Sequence, residues 1–197
     1  MISLIKKRLA ALVIRSRQRK VFKKFVSSDG GTKKKKSIVS FNLPFRHLDE
    51  VDEKRVLIYL PAQLEEFRVA RYVIKSLYDS ISSLNMTFIV DGSMRDHVDS
   101  EMSDWNFLFI EDKDVKILNL PDSALRRRVR EENFSIFMDL NPLFVPLAAA
   151  LCVESGAGLK VGFSHKAVSG IYNIEFKRNS KLFLEELYRE IFKITIL

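Results

Sequence analysis

The stretch VLIYLPAQLEEFRVARYVIKSLYDSI, Val56 to Ile81, changes its hydrophobic period part-way along. Val56 to Leu60 is an unbroken apolar run of strand length, whereas Phe67, Ala70, Ile74, Leu77 and Ile81 recur at the three- and four-residue steps of one helical face. A strand that is apolar at every position needs cover on both faces, and a helix that follows it at once covers one of them. Strand then helix is therefore the unit from which the rest of the chain is read.

The same alternation continues downstream. MTFIVD (Met86 to Asp91), NFLFI (Asn106 to Ile110) and VKILNL (Val115 to Leu120) read as strands, and SALRRRVREEN from Ser123 as a charged helix. FSIFMDL, Phe134 to Leu140, is another buried strand, and LFVPLAAALCVES, Leu143 to Ser155, a helix ended by Gly156. LKVGF and YNIEF are strands, and SKLFLEELYREIFKI, Ser180 to Ile194, is the last helix. Upstream, SIVSF at Ser37 to Phe41 reads as a further strand. Alternating strands and helices predict an α/β domain, a Rossmann-like three-layer sandwich around a mostly parallel sheet. Ligands of such folds bind beyond the carboxyl ends of the strands, in loops that here read PAQLEE, GSMRDH, NPL and SHKAVSG.

Charge divides the chain. Lys6, Lys7, Arg8, Arg15, Arg17, Arg19, Lys20, Lys23, Lys24, Lys33, Lys34, Lys35 and Lys36 precede Ser37 beside one acid, Asp29, a net charge of +12; the remainder carries −4. Ile2, Ile5, Leu9, Leu12 and Val13 share one helical face, so residues 1–26 read as a basic helical tail, amphipathic over its first half. Residues 27–36, SSDGGTKKKK, are a Gly/Ser/Lys linker, and 37–197 form a single Rossmann-like domain. Clustered cations attract an anionic membrane surface or RNA, and one apolar stripe on a basic helix favours the bilayer interface. No apolar run reaches the ~20 residues of a membrane span, and arginines stand where a signal peptide would be cleaved. The expected location is cytoplasmic, peripheral on the inner membrane, with the tail retained.

Several residues invite chemical readings. Glu65 and Glu66 sit where the first strand passes into its helix, a common catalytic position and an ordinary one for first-turn acids favoured by the helix dipole. Asp139 and Asn141 follow a buried strand, where they suit either a site or the cap of the next helix. Gly156, Gly158 and Gly162 lie between a helix and the next strand, the reverse of a phosphate-binding loop, and read as a helix end and two close-packing positions. Arg126, Arg127, Arg128 and Arg130, flanked by Asp122, Glu131 and Glu132, read as a solvated helix face. Cys152, the single cysteine, lies in an apolar run and reads as a buried, inert thiol. His47, His97 and His165 are isolated from it and from one another, so no metal site and no cofactor are implied.

Val56 to Leu77 resembles the opening of the N-terminal, acceptor-side domain of family 9 glycosyltransferases, the lipopolysaccharide heptosyltransferases and their relatives. FSIFMDL resembles the family's buried strand ending in Asp-Leu, and SGAGLKVGFSHKAVSGIYN its small residues, strand, basic loop and aromatic. The resemblance extends to small single-domain bacterial proteins with a basic N-terminal helix. It implies that Glu66 stands where the family places the Asp that deprotonates the acceptor hydroxyl. It also implies binding roles for Glu65, Asp139, Asn141, Ser164, His165 and Lys166. Glu65 replaces a glycine and Leu60 a basic residue of the family pattern. The family binds its nucleotide-sugar donor on a second domain, so a chain of this length implies a donor-binding partner chain and no complete transferase activity alone.

Overall fold

The structure, a computed structural model, describes residues 55–98, 102, 104–116, 119–165, 170–178 and 183–196. The basic tail, the linker, the expected strand SIVSF and Lys166 lie outside the described residues.

Among the described residues, six parallel strands form the main sheet: β1 (Arg55–Tyr59), β2 (Asn85–Asp91), β3 (Asn106–Ile110), β6 (Ile136–Asp139), β7 (Leu159–Phe163) and β8 (Ile174–Phe176). They lie in the order β3-β2-β1-β6-β7-β8. β1 is central, in register with β2 through Val56↔Met86 and with β6 through Tyr59↔Asp139. A central parallel strand has no wet face, which is why Val56 to Leu60 is apolar at every position.

The side-chain alternation of the strands sorts this core into two. Val56, Ile58, Phe88, Val90, Met138 and Val161 face helices α1 (Leu64–Ile81) and α4 (Leu184–Thr195). Leu57, Tyr59, Ile89 and Phe137 face helices α2 (Ser123–Glu131) and α3 (Pro146–Glu154). The expected three layers are present. Helix α1 is amphipathic and contributes Phe67, Ala70, Val73, Ile74 and Ile81 to the first core. By contrast α3 is buried on all sides, and its alanines let it sit close to the sheet. Gly156 ends it at φ +63°, a left-handed conformation that glycine adopts without strain. Cys152 is buried there, and burial pushes its thiol pKa up, which keeps it protonated.

Three sequence readings change. VKILNL is not one strand but the start of a small antiparallel hairpin, β4 (Val115–Lys116) paired with β5 (Leu120–Pro121). Asn119 turns the chain back at φ 57°. The arginine-rich helix is not simply a solvated face. Asp122 caps its N-terminus through Leu125 N (2.7 Å), and Arg126 and Arg130 both donate to Glu154 of α3, whose side chain is fully buried. Lastly, Gly162 is a close-packing position but Gly158 is not. A Cβ on Gly162 would lie 2.6 Å from the Tyr172 ring, whereas one on Gly158 would meet nothing nearer than 3.9 Å.

Candidate functional site

β1 and β6 are neighbours, yet the chain leaves β1 for the α1 face and β6 for the opposite α3 face. The crevice opens where such connections diverge. Its walls are the first turn of α1 and the loop Leu140 to Val145 after β6. A cavity of about 330 Å³ lies there, lined by Ala62, Gln63, Glu66, Asn141, Phe144 and His165 among others. The structure therefore brings Glu66, Asn141 and His165 to one cavity.

Glu66 is held in the first turn of α1 with its side chain 13% exposed, and Arg178 lies 3.7 Å from its Oε1. Burial raises its pKa above the ordinary carboxylate value and the Arg178 guanidinium opposes the rise. A carboxylate made more basic than usual can accept a proton from a hydroxyl in the cavity. Glu65 points elsewhere, with its side chain 85% exposed and 3.5 Å from Arg68.

Asp139 does not reach the 330 Å³ cavity, nor do Asp139 and Asn141 cap the next helix. Helix α3 begins at Pro146 after Val145, which has no side-chain cap bond, too far along the chain for either residue. Asp139 is instead a positioning group. Its Oδ1 accepts from Asn141 N (2.9 Å) and Asn141 Nδ2 (2.7 Å), and its Oδ2 accepts from Tyr172 Oη (2.6 Å). Asn141 Oδ1 in turn accepts from Ala62 N (3.0 Å), tying the loop after β6 to the loop after β1. Burial raises the Asp139 pKa from 3.8 to about 6 against the lowering effect of these hydrogen bonds. Gly162 leaves the space in which the Tyr172 ring lies on its way to Asp139.

Of the remaining candidates, His165 stacks on Phe144 with ring centroids 5.2 Å apart. Ser164 is exposed at the end of β7, where its N donates to Phe176 O (2.8 Å). The structure adds Gln63, Phe144 and Arg178, none of which stood out in sequence. Arg178 had no signal there, since only the packing of the segment after β8 beside α1 brings it to Glu66. No group of three or more His, Cys, Asp or Glu among the described residues could hold a metal ion. No helix among them is long and apolar enough to cross a membrane.

No family model and no curated protein matches the sequence. Solved structures do match the fold. The chain is similar to the E. coli heptosyltransferase WaaC with ADP at TM-score 0.53 and 16% identity, over 72% of this chain and 46% of that one. It is similar to E. coli ADP-heptose lps heptosyltransferase II at TM-score 0.53 and 15% identity, over 69% and 39%. A glycosyl transferase family 9 structure from Veillonella parvula DSM 2008 matches at TM-score 0.55 and 15% identity, over 73% and 41%. The chain thus spans less than half the length of each of these proteins. At such identities the likeness establishes the fold, a Rossmann-like α/β domain resembling part of the heptosyltransferases and their family 9 relatives.

Proposed function

We propose that this chain is a saccharide-binding, acceptor-side domain of a family 9-type glycosyltransferase system, with the donor bound outside this domain. The position of Glu66 carries the proposal: a mostly buried carboxylate of raised pKa, beside an arginine, in the crevice of a fold shared with glycosyltransferases. In the reaction the acceptor O–H gives its proton to Glu66 while the oxygen forms a bond to the donor's anomeric carbon. The bond from that carbon to the leaving group breaks, and its electron pair leaves with the leaving group. Asp139 and Asn141 act one step back, fixing the two loops that carry the cavity wall. The net +12 tail holds the domain at an anionic membrane surface.

Glu66→Gln preserves the size of the side chain but removes its charge and the base. In the cells that make this protein, the variant is expected to lower the dependent glycan product by about 10²–10⁴-fold while the purified chain keeps its unfolding midpoint. An unchanged glycan profile would remove Glu66 as the base. Deleting residues 1–36 is expected to move the protein from the membrane fraction to the supernatant. Sedimentation with ribosomes that is lost in high salt would instead assign the tail to RNA.

A further inference from the structure

A second cavity, of about 460 Å³, adjoins the first at the carboxyl ends of β1, β2 and β3. The two share Ala62, Asn119, Phe144, Val145 and Pro146 as lining residues, so they form neighbouring lobes of one cleft. Its volume falls in the ordinary range of small-ligand sites. We propose that this lobe is a second saccharide subsite, so that the acceptor spans at least two sugar units and is neutral or amino rather than phosphorylated. The inference rests on the reading of the Glu66 crevice as an acceptor site and adds the class of acceptor.

Tyr59 is the first reason. It lines the lobe and is 2% exposed, yet among the described residues its hydroxyl makes no hydrogen bond to the protein. The hydroxyl is not a stranded group, since no buried side-chain oxygen among the described residues lacks a partner; it opens on the cavity and can pair with what the cavity holds. A sugar hydroxyl, both donor and acceptor, matches it in either sense. Asp91, at the end of β2, is the second. Its Oδ1 accepts from Ser93 N (3.0 Å) and Ser93 Oγ (2.6 Å), which fixes the carboxylate and leaves Oδ2 to accept from a ligand. Apolar surface from Phe144, Leu147 and Ile110 completes the wall.

The charge of the lobe sets the class. Asp91, Glu111 and Asp112 line it, and no lysine or arginine does among the described residues. Arg95 lies 2.5 Å from Glu111 and over the Phe109 ring, so the charges of that pair offset each other and Asp91 and Asp112 set the charge of the lobe. Acids that line a cleft repel phosphate and accept hydroxyl or ammonium hydrogens.

Titration of the ¹⁵N-labelled full chain separates the possibilities, with cellobiose, a glucosamine disaccharide, glucose and glucose 6-phosphate as probes. The disaccharides are expected to shift the amides of Gly92 and Ser93 together with those of Ala62 and Gln63, while glucose shifts only the latter pair. Glucose 6-phosphate is expected to leave Gly92 and Ser93 unmoved. Tyr59→Phe, which keeps the ring and hence the core, should weaken disaccharide binding about fivefold and leave glucose unaffected. Disaccharide shifts confined to Ala62 and Gln63, insensitivity to Tyr59→Phe, or equal shifts of Gly92 with glucose 6-phosphate would each overturn the subsite and leave the acceptor reading standing. No shift at either pair with any probe would overturn both.

Discussion

Replacing Arg126 and Arg130 together by alanine is expected to lower stability by about 3–5 kcal/mol, the cost of stranding a buried charge. Glu154 has no exposed side-chain surface, and its two oxygens accept separately, Oε1 from Arg126 Nε at 2.5 Å and Oε2 from Arg130. The arginines remain 33% and 62% exposed, so they bring their charge to Glu154 without being buried themselves. Removing them isolates an ion. Removing the ion does not: Glu154→Gln lets both arginines turn to water and should cost only about 1 kcal/mol. Because domains of this kind are held by about 5–15 kcal/mol, the double variant should show a sharply lower urea midpoint at unchanged slope. Equal losses for the double variant and Glu154→Gln would contradict the asymmetry.

Asp139 yields the second large effect, visible as a pH dependence. Its folded pKa is raised to about 6 from 3.8, so between these values the folded chain keeps a proton that the unfolded chain has released. Stability from this group is therefore complete below about pH 4 and is lost as pH rises through about 6. At about 1.4 kcal/mol per unit the change amounts to about 3 kcal/mol. Asp139→Asn does not titrate, and its amide can still accept from Asn141 and donate to the Tyr172 hydroxyl. The stability gap between the variant and the parent should accordingly move about 3 kcal/mol in the variant's favour from pH 3.5 to pH 7. A gap that is constant across that range would mean that Asp139 titrates alike in both states.

These two effects lie where the sequence was least legible. The period change at Val56 to Ile81, the apolar strands and the glycine at helix α3's end are local signals, and each yields its element. The strand order, with β1 between β2 and β6, is what turns those elements into a crevice beside Glu66. The Arg126 and Arg130 pairing could not be seen, because Glu154 lies 28 and 24 residues away on another helix. Tyr172 is 33 residues from Asp139 and reaches it only across the face that Gly162 leaves bare. Asp139 thus looked like a helix cap, an inference from chain neighbours that a long-range hydrogen bond overrides. Glu65 and Glu66 are adjacent in sequence with equal chemistry, and only the orientation of the α1 face separates the exposed one from the one in the cavity.

The role proposed for Glu66 is that of a base that meets saccharide. Its side-chain carboxyl can be followed by ¹³C NMR through a pH titration, with and without cellobiose. The predicted result is a midpoint above the ordinary carboxylate value in the free chain, displaced when the sugar binds. A midpoint at or below the ordinary value, unmoved by sugar, would contradict it.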